Sequence, residues 1–89
     1  MATLGGHRVV FEGAAALVRL RYQRAARLGP WRVEGDALSA EVLEADGFRI
    51  TQSGLTLEIP NADGIPTIRP IEDVRVSGGR LLARLVPKR

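Results

Sequence analysis

Two alternating runs decide the fold: Leu38-Ser39-Ala40-Glu41-Val42 and Leu55-Thr56-Leu57-Glu58-Ile59. In each, an apolar residue takes every second position and a polar one fills the gap. That is the two-residue period of a strand with one hidden face and one wet face. Between the runs lies Asp46-Gly47, where glycine tolerates the positive φ of a tight turn. The pair predicts a two-residue hairpin, followed by a strand carrying Phe48 and Ile50. Upstream, Trp31-Arg32-Val33 alternates and Glu34-Gly35-Asp36 turns. Downstream, Pro60 to Gly64 reads as a loop. Ile65 and Ile68 are flanked by Pro66 and Pro70, so this stretch is expected to be an edge strand or irregular. Val74 and Val76 lead into the turn Ser77-Gly78-Gly79, and a last strand runs from Arg80 to Val86. Near the start, Val9-Val10-Phe11 up to Gly13 reads as a core strand. The even spacing of turns predicts a mainly β protein, a small antiparallel meander forming a barrel or a sandwich.

Residues 14–28 admit two readings. As a helix, positions 14, 17, 18, 21, 22, 25 and 28 form one stripe that only Arg21 interrupts, and Gly29-Pro30 would stop it. As a strand, Val18, Leu20 and Tyr22 alternate with Arg19, Arg21 and Gln23. The reading adopted is a strand over about 16–22 and at most a helical turn before Gly29; an α+β fold with a helix at about 14–28 is the alternative.

The chain has 89 residues, so one domain over 1–89 is expected, with 45% apolar residues, enough for a fold. A core this small leaves a thin stability margin, and no cysteine is present to reinforce it. Self-association is a common way to gain buried area. The lack of cysteine suits a reducing compartment, so the expected location is the cytoplasm. The longest apolar run, Ala14 to Val18, is far too short to span a bilayer, and no signal peptide is evident. No membrane partner is expected.

Charge is segregated along the chain. Residues 1–33 carry six arginines and one acid, residues 34–73 nine acids and two arginines, and residues 74–89 five bases and no acid. The sum is only +3. Such blocks either build opposed faces or pair across neighbouring strands, and the second is the simpler reading.

No catalytic or cofactor site emerges. His7 is a lone histidine near the N-terminus, without a partner for acid–base work. Glu41, Glu44 and Asp46 read as a wet edge beside a hairpin. Asn61-Ala62-Asp63-Gly64 lacks the remaining ligands of a calcium loop. With no cysteine and one histidine, no zinc or iron site is expected. Neither enzyme nor cofactor is predicted.

Two binding signals remain. Leu82 and Val86 lie off the phase of Leu81, Ala83 and Leu85, and Leu43 is a second off-phase apolar residue. A strand apolar on both faces belongs in a two-layer core or an interface. The candidate interface is therefore Leu43, Leu82 and Val86, with Arg80 and Arg84 at its rim. The function expected is a non-enzymatic interaction module, a homo-oligomer or an accessory subunit of a larger assembly, with protein as partner. The alternative is a small basic domain that binds nucleic acid through Arg19, Arg21, Arg24, Arg27, Lys88 and Arg89, with Tyr22 and Trp31 as stacking platforms. Arg8-Val9-Val10-Phe11 also matches a short strand-adding docking pattern, although a core strand explains it more simply.

Overall fold

A computed structural model describes residues 10–87. Seven strands carry the chain: β1 (Val10–Gly13), β2 (Ala16–Leu20), β3 (Gln23–Glu34), β4 (Ala37–Ala45), β5 (Leu55–Ile59), β6 (Thr67–Ser77) and β7 (Arg80–Leu85). Every pairing is antiparallel. β2, β3 and β4 form one meander; β5, β6 and β7 form another. The two meanders join along β2–β5 and along β4–β7, so six strands close into a barrel. The fold is mainly β, and the barrel is the form it takes.

The alternation read from the sequence sets which side chains enter the barrel. Leu38 and Ala40 of β4, Leu55 and Leu57 of β5, and Leu81, Ala83 and Leu85 of β7 are all buried. Val18, Leu28, Trp31, Val33 and Ile71 complete the interior. No polar or charged side chain is buried among the described residues. Each of the six strands of the ring therefore supplies an inward apolar phase to one shared core.

No helix forms over residues 14–28. β2 and the first part of β3 occupy that span, joined at the two-residue turn Arg21-Tyr22, with Leu20 opposite Gln23. Arg21 holds a left-handed φ of 59° there, and Tyr22 is 95% exposed at the tip. Nor do Gly29 and Pro30 end the element; β3 runs through them to Glu34. On one edge they fall between Leu28, the last residue paired with β2, and Trp31, the first paired with β1. On the other edge the register with β4 slips between Leu28 and Trp31. The N–H that proline lacks is missing at a break in both ladders, where its loss costs little.

The off-phase residue Leu43 has a local cause. The register with β3 also shifts between Arg27 and Leu28, which leaves Leu43 as the extra residue of a bulge on β4. Its side chain lies over Gly29, where an added Cβ would stand 3.3 Å from Leu43 Cδ2.

Of three other expectations, two need correcting and one holds locally. Asp46-Gly47 does not make a hairpin, and no strand follows it. The Asp46 carboxylate accepts the backbone N–H groups of Phe48 and Arg49, each at 3.0 Å, and coils the chain into a single 3-10 turn, Arg49–Thr51. The expectation for the stretch around Pro66 and Pro70 holds locally: Ile65 and Pro66 lie outside any strand, and Thr67–Pro70 pair with β5 alone, before β6 gains β7 on its other side from Ile71 onward. Pro70 is accommodated opposite the end of β7, where its carbonyl accepts the Val86 N–H at 3.0 Å. Finally, β1 is a strand but not a core strand: it sits outside the six-stranded ring, paired only with β3, with Val10 and Phe11 exposed.

The barrel ends differ, and the connections explain why. β4 and β5 lie on opposite sides of the ring, so the chain between them must cross one end. The 3-10 turn is that crossing, and it drops Ile50 into the core at 8% exposure. At the far end the Gly35-Asp36 hairpin, the β5–β6 loop and the end of β7 leave the interior open.

Two outcomes follow from the plug. Ile50→Ala should lower stability by about 2–5 kcal/mol, the range for truncating a buried aliphatic side chain. Phe48→Ala, on the exposed side of the same turn, should change it by less than about 0.5 kcal/mol. Urea denaturation of both variants checks this. The N–H of Arg49, with that of Phe48 and the Arg49 guanidinium, also holds the Asp46 carboxyl below its ordinary pKa. A lowered folded value means the cap is intact at neutral pH and is lost as pH falls through that value. Hydrogen-exchange protection of the Phe48 and Arg49 amides should drop in acid, and Asp46→Ala should abolish it at every pH.

Candidate binding site at the open barrel mouth

The open end encloses a cavity of about 620 Å³. Inward-facing residues of four strands line it: Trp31 and Val33 from β3, Leu57 and Ile59 from β5, Arg69 from β6 and Leu85 from β7. Phe11 adds a further wall from β1, on the same face as its cross-strand partner Val33. The walls are mostly apolar, with a few polar groups at the rim, as in cavities that hold small ligands.

One close approach shapes this end. Gly13 stands opposite Trp31, and a Cβ added at Gly13 would lie 2.5 Å from three indole atoms. The indole therefore lies flat on the glycine backbone. Its Nε1–H donates to the Ala15 carbonyl at 2.9 Å, which satisfies the polar edge of the ring and fixes its plane. β1 and β2 diverge at Ala14-Ala15, and the tryptophan fills the step between them.

Arg69 is the cation of the mouth. It pairs in register with Leu57 and so points to the inside of the barrel, where it is half-buried. Its only hydrogen bond among the described residues runs from Nη2 to the Val86 carbonyl, at a long 3.5 Å. No described carboxylate lies in ion-pair range of it. The one acid at the rim, Asp36, faces Arg84 at 3.7 Å. On the other side of the rim the β5–β6 loop braces itself: Asn61 Nδ2 donates to the Ile65 carbonyl and to Thr67 Oγ1, at 2.7 and 2.8 Å.

The residues singled out from the sequence lie elsewhere. Leu82 is 52% exposed on the outer wall, opposite Ser39 on β4 and Arg75 on β6, with Arg80 and Arg84 on the same face of β7. Leu43 is 47% exposed on β4, four residues beyond Ser39, roughly 13 Å along the strand. Val86 is half-buried past the end of β7. The structure thus gathers Arg80, Leu82 and Arg84 into one strip, with Leu43 two residues past Glu41, the partner of Arg80, beyond one end of it and Val86 beyond the other.

The basic block is largely paired with the acidic one. Arg19 Nε meets Glu58 Oε1 at 2.9 Å across β2 and β5. Arg24 and Arg27 both reach Glu44 at 3.8 Å, and Arg32 reaches Glu34 at 3.5 Å and Glu12 at 3.9 Å. A shallow cleft of about 300 Å³ beside Arg24, Arg27 and Arg49 is lined by Glu44 and Asp46 as well, so its charges offset one another. Arg21 has no ion pair among the described residues and sits beside exposed Tyr22, whereas Trp31 is buried and cannot stack on a base from outside. His7, Lys88, Arg89 and the Arg8-Val9 half of the docking pattern lie outside the described residues.

The mouth escaped the sequence reading because its lining looks like core. Two signals could have marked it. Arg69 falls in the same phase as Ile71, where an apolar residue is expected, and Gly13 sits within a strand where a side chain would be expected to pack. Trp31 is the only tryptophan in the chain, so its emission reports this end alone. Gly13→Ala should push the indole off its seat, shift its emission to the red and cost about 1–3 kcal/mol, as overpacking does; fluorescence during urea unfolding reads both. No protein-family model, no curated protein and no solved structure matches this chain.

Proposed function

We propose that the chain is a non-enzymatic interaction module that recruits a partner protein along β1, as a homo-oligomer or as an accessory subunit of a larger assembly. The observation that carries this is the edge of β1. The strand is hydrogen-bonded to β3 alone, and among the described residues no strand covers its other side. Alternate N–H and C=O groups along such an edge offer a template for an incoming strand. Val10 and Phe11 supply apolar contact on the two faces beside it, Phe11 at 59% exposure. The other six strands close into a ring, and β1 is the strand that stands outside it. The Arg80–Leu82–Arg84 strip would be a secondary contact on the outer wall. No helix among the described residues is long and apolar enough to cross a membrane. The absence of cysteine supports the cytoplasm as location.

A second reading, single-stranded nucleic acid, draws on the Arg21-Tyr22 tip, where a cation and an exposed ring stand together. The pairing of Arg19, Arg24, Arg27 and Arg32 with carboxylates weighs against it.

The test is site-specific photocrosslinking on the full chain in cells. A crosslinker at Val10 should capture a second protein or a second copy of the chain, and one at Gln52, exposed beside the 3-10 turn at the plugged end, should not. Lysine at Val10 and Phe11 together should abolish any oligomer seen by light scattering. A monomer at all concentrations with no crosslink from Val10 would remove the reading. Charge reversal at Arg19, Arg21, Arg24 and Arg27 separates the alternative: salt-sensitive binding to single-stranded DNA or RNA, lost on reversal, would favour it.

A further inference from the structure

The geometry points to a second binding function, separate from the β1 edge: the barrel mouth takes up a small apolar molecule with one carboxylate, its tail among Trp31, Leu57 and Leu85 and its head on Arg69.

Three observations meet here. The first is shape. The cavity of about 620 Å³ is open at one end and stopped inside by the core that Ile50 closes. This volume falls in the range of roughly 300–1,000 Å³ typical of small-molecule sites. The second is chemistry of the wall. The inward phase of β3, β5 and β7 is apolar up to the rim, so a tail lying against those three strands leaves water for carbon, while Arg69 and Thr67 make the β6 side polar. The third is charge. Arg69 is half-buried in that apolar setting, turned inward opposite Leu57, with one long hydrogen bond and no described carboxylate in range. A guanidinium there loses hydration without a counter-ion, and a planar carboxylate offers two oxygens to its fork of N–H donors. Asp36 does not meet that need, because it faces Arg84 on the outer side. Neutral or cationic amphiphiles would leave Arg69 as it is or repel it.

The natural reporter is Trp31, the single tryptophan, which lies in the wall itself. The full chain is titrated with decanoate, decanol and decylamine below their micelle concentrations, following Trp31 emission and heat of binding. Decanoate should bind at least about tenfold more tightly than decanol or decylamine, as a charge-assisted hydrogen bond in a partly dry site implies. Arg69→Gln should weaken decanoate about tenfold while leaving decanol unchanged, and Arg69→Lys should restore part of the preference. Equal affinity for decanoate and decanol, full decanoate binding by Arg69→Gln, or no binding at all would overturn the assignment. A short peptide ending in a free Val-Leu carboxylate that bound more tightly than decanoate would overturn the small-molecule assignment as well. If Arg69→Gln does not fold, the three-probe comparison on the unaltered chain still decides.

Discussion

Closure of the sheet through β3 is the constraint on which everything else rests. β3 is the longest strand, and it is hydrogen-bonded along both edges, to β4 on one side and to β2 and β1 in succession on the other. Without it β2 and β4 would have no common neighbour, and the sheet β2-β5-β6-β7-β4 would stay open with its apolar face to water. With it, one inner face serves six strands and no apolar layer has to come from a helix. A strand that serves two partners in succession must bend, and Gly29-Pro30 falls where it does so. The register slip, the Leu43 bulge and the break between β1 and β2 all lie at that bend. These irregularities of β3 and its neighbours fall together and permit closure, while the ladders also slip between Val18 and Arg19 and between Glu72 and Arg75.

The same closure produces two unlike ends. Antiparallel meanders of three strands leave β4 and β5 facing each other across the ring, so their link must pass over an end and becomes a plug. Among the described residues no such link crosses the other end. There Gly13 gives Trp31 a flat seat, and the indole becomes a wall of the mouth. The free edge of β1 borders the same opening through Phe11. The proposed partner-binding strand and the proposed ligand cavity are therefore consequences of one topological fact, not independent decorations.

Charge plays a quieter part. The blocks of positive and negative residues along the chain fold onto neighbouring strands, where Arg19 meets Glu58, and Arg24 and Arg27 meet Glu44. The pairs that join Arg24, Arg27 and Arg32 to acids are long and exposed, so each contributes little to stability. Arg69 differs from the other cations without an ion pair among the described residues in that it turns to the inside of the barrel.

Strand identity was legible in the sequence, because a two-residue period hides alternate side chains whatever the neighbours are. Leu38 and Ala40, Leu55 and Leu57, and Leu81, Ala83 and Leu85 face inward as their spacing requires. The glycines of Gly35 and Gly78-Gly79 likewise marked true hairpins, since their positive φ is a local property. The sequence could not show which strands are neighbours, because pairing joins residues far apart in the chain and depends on closure of the whole sheet. Gly29-Pro30 therefore looked like a stop and Asp46-Gly47 like a hairpin, although each takes its role from a ladder or a crossing set elsewhere. The mouth belongs to the same class: Trp31, Leu57, Leu85 and Arg69 read separately as core or surface. Only the ring of strands brings them around one space, because an enclosed volume is a property of the closed sheet and not of any segment.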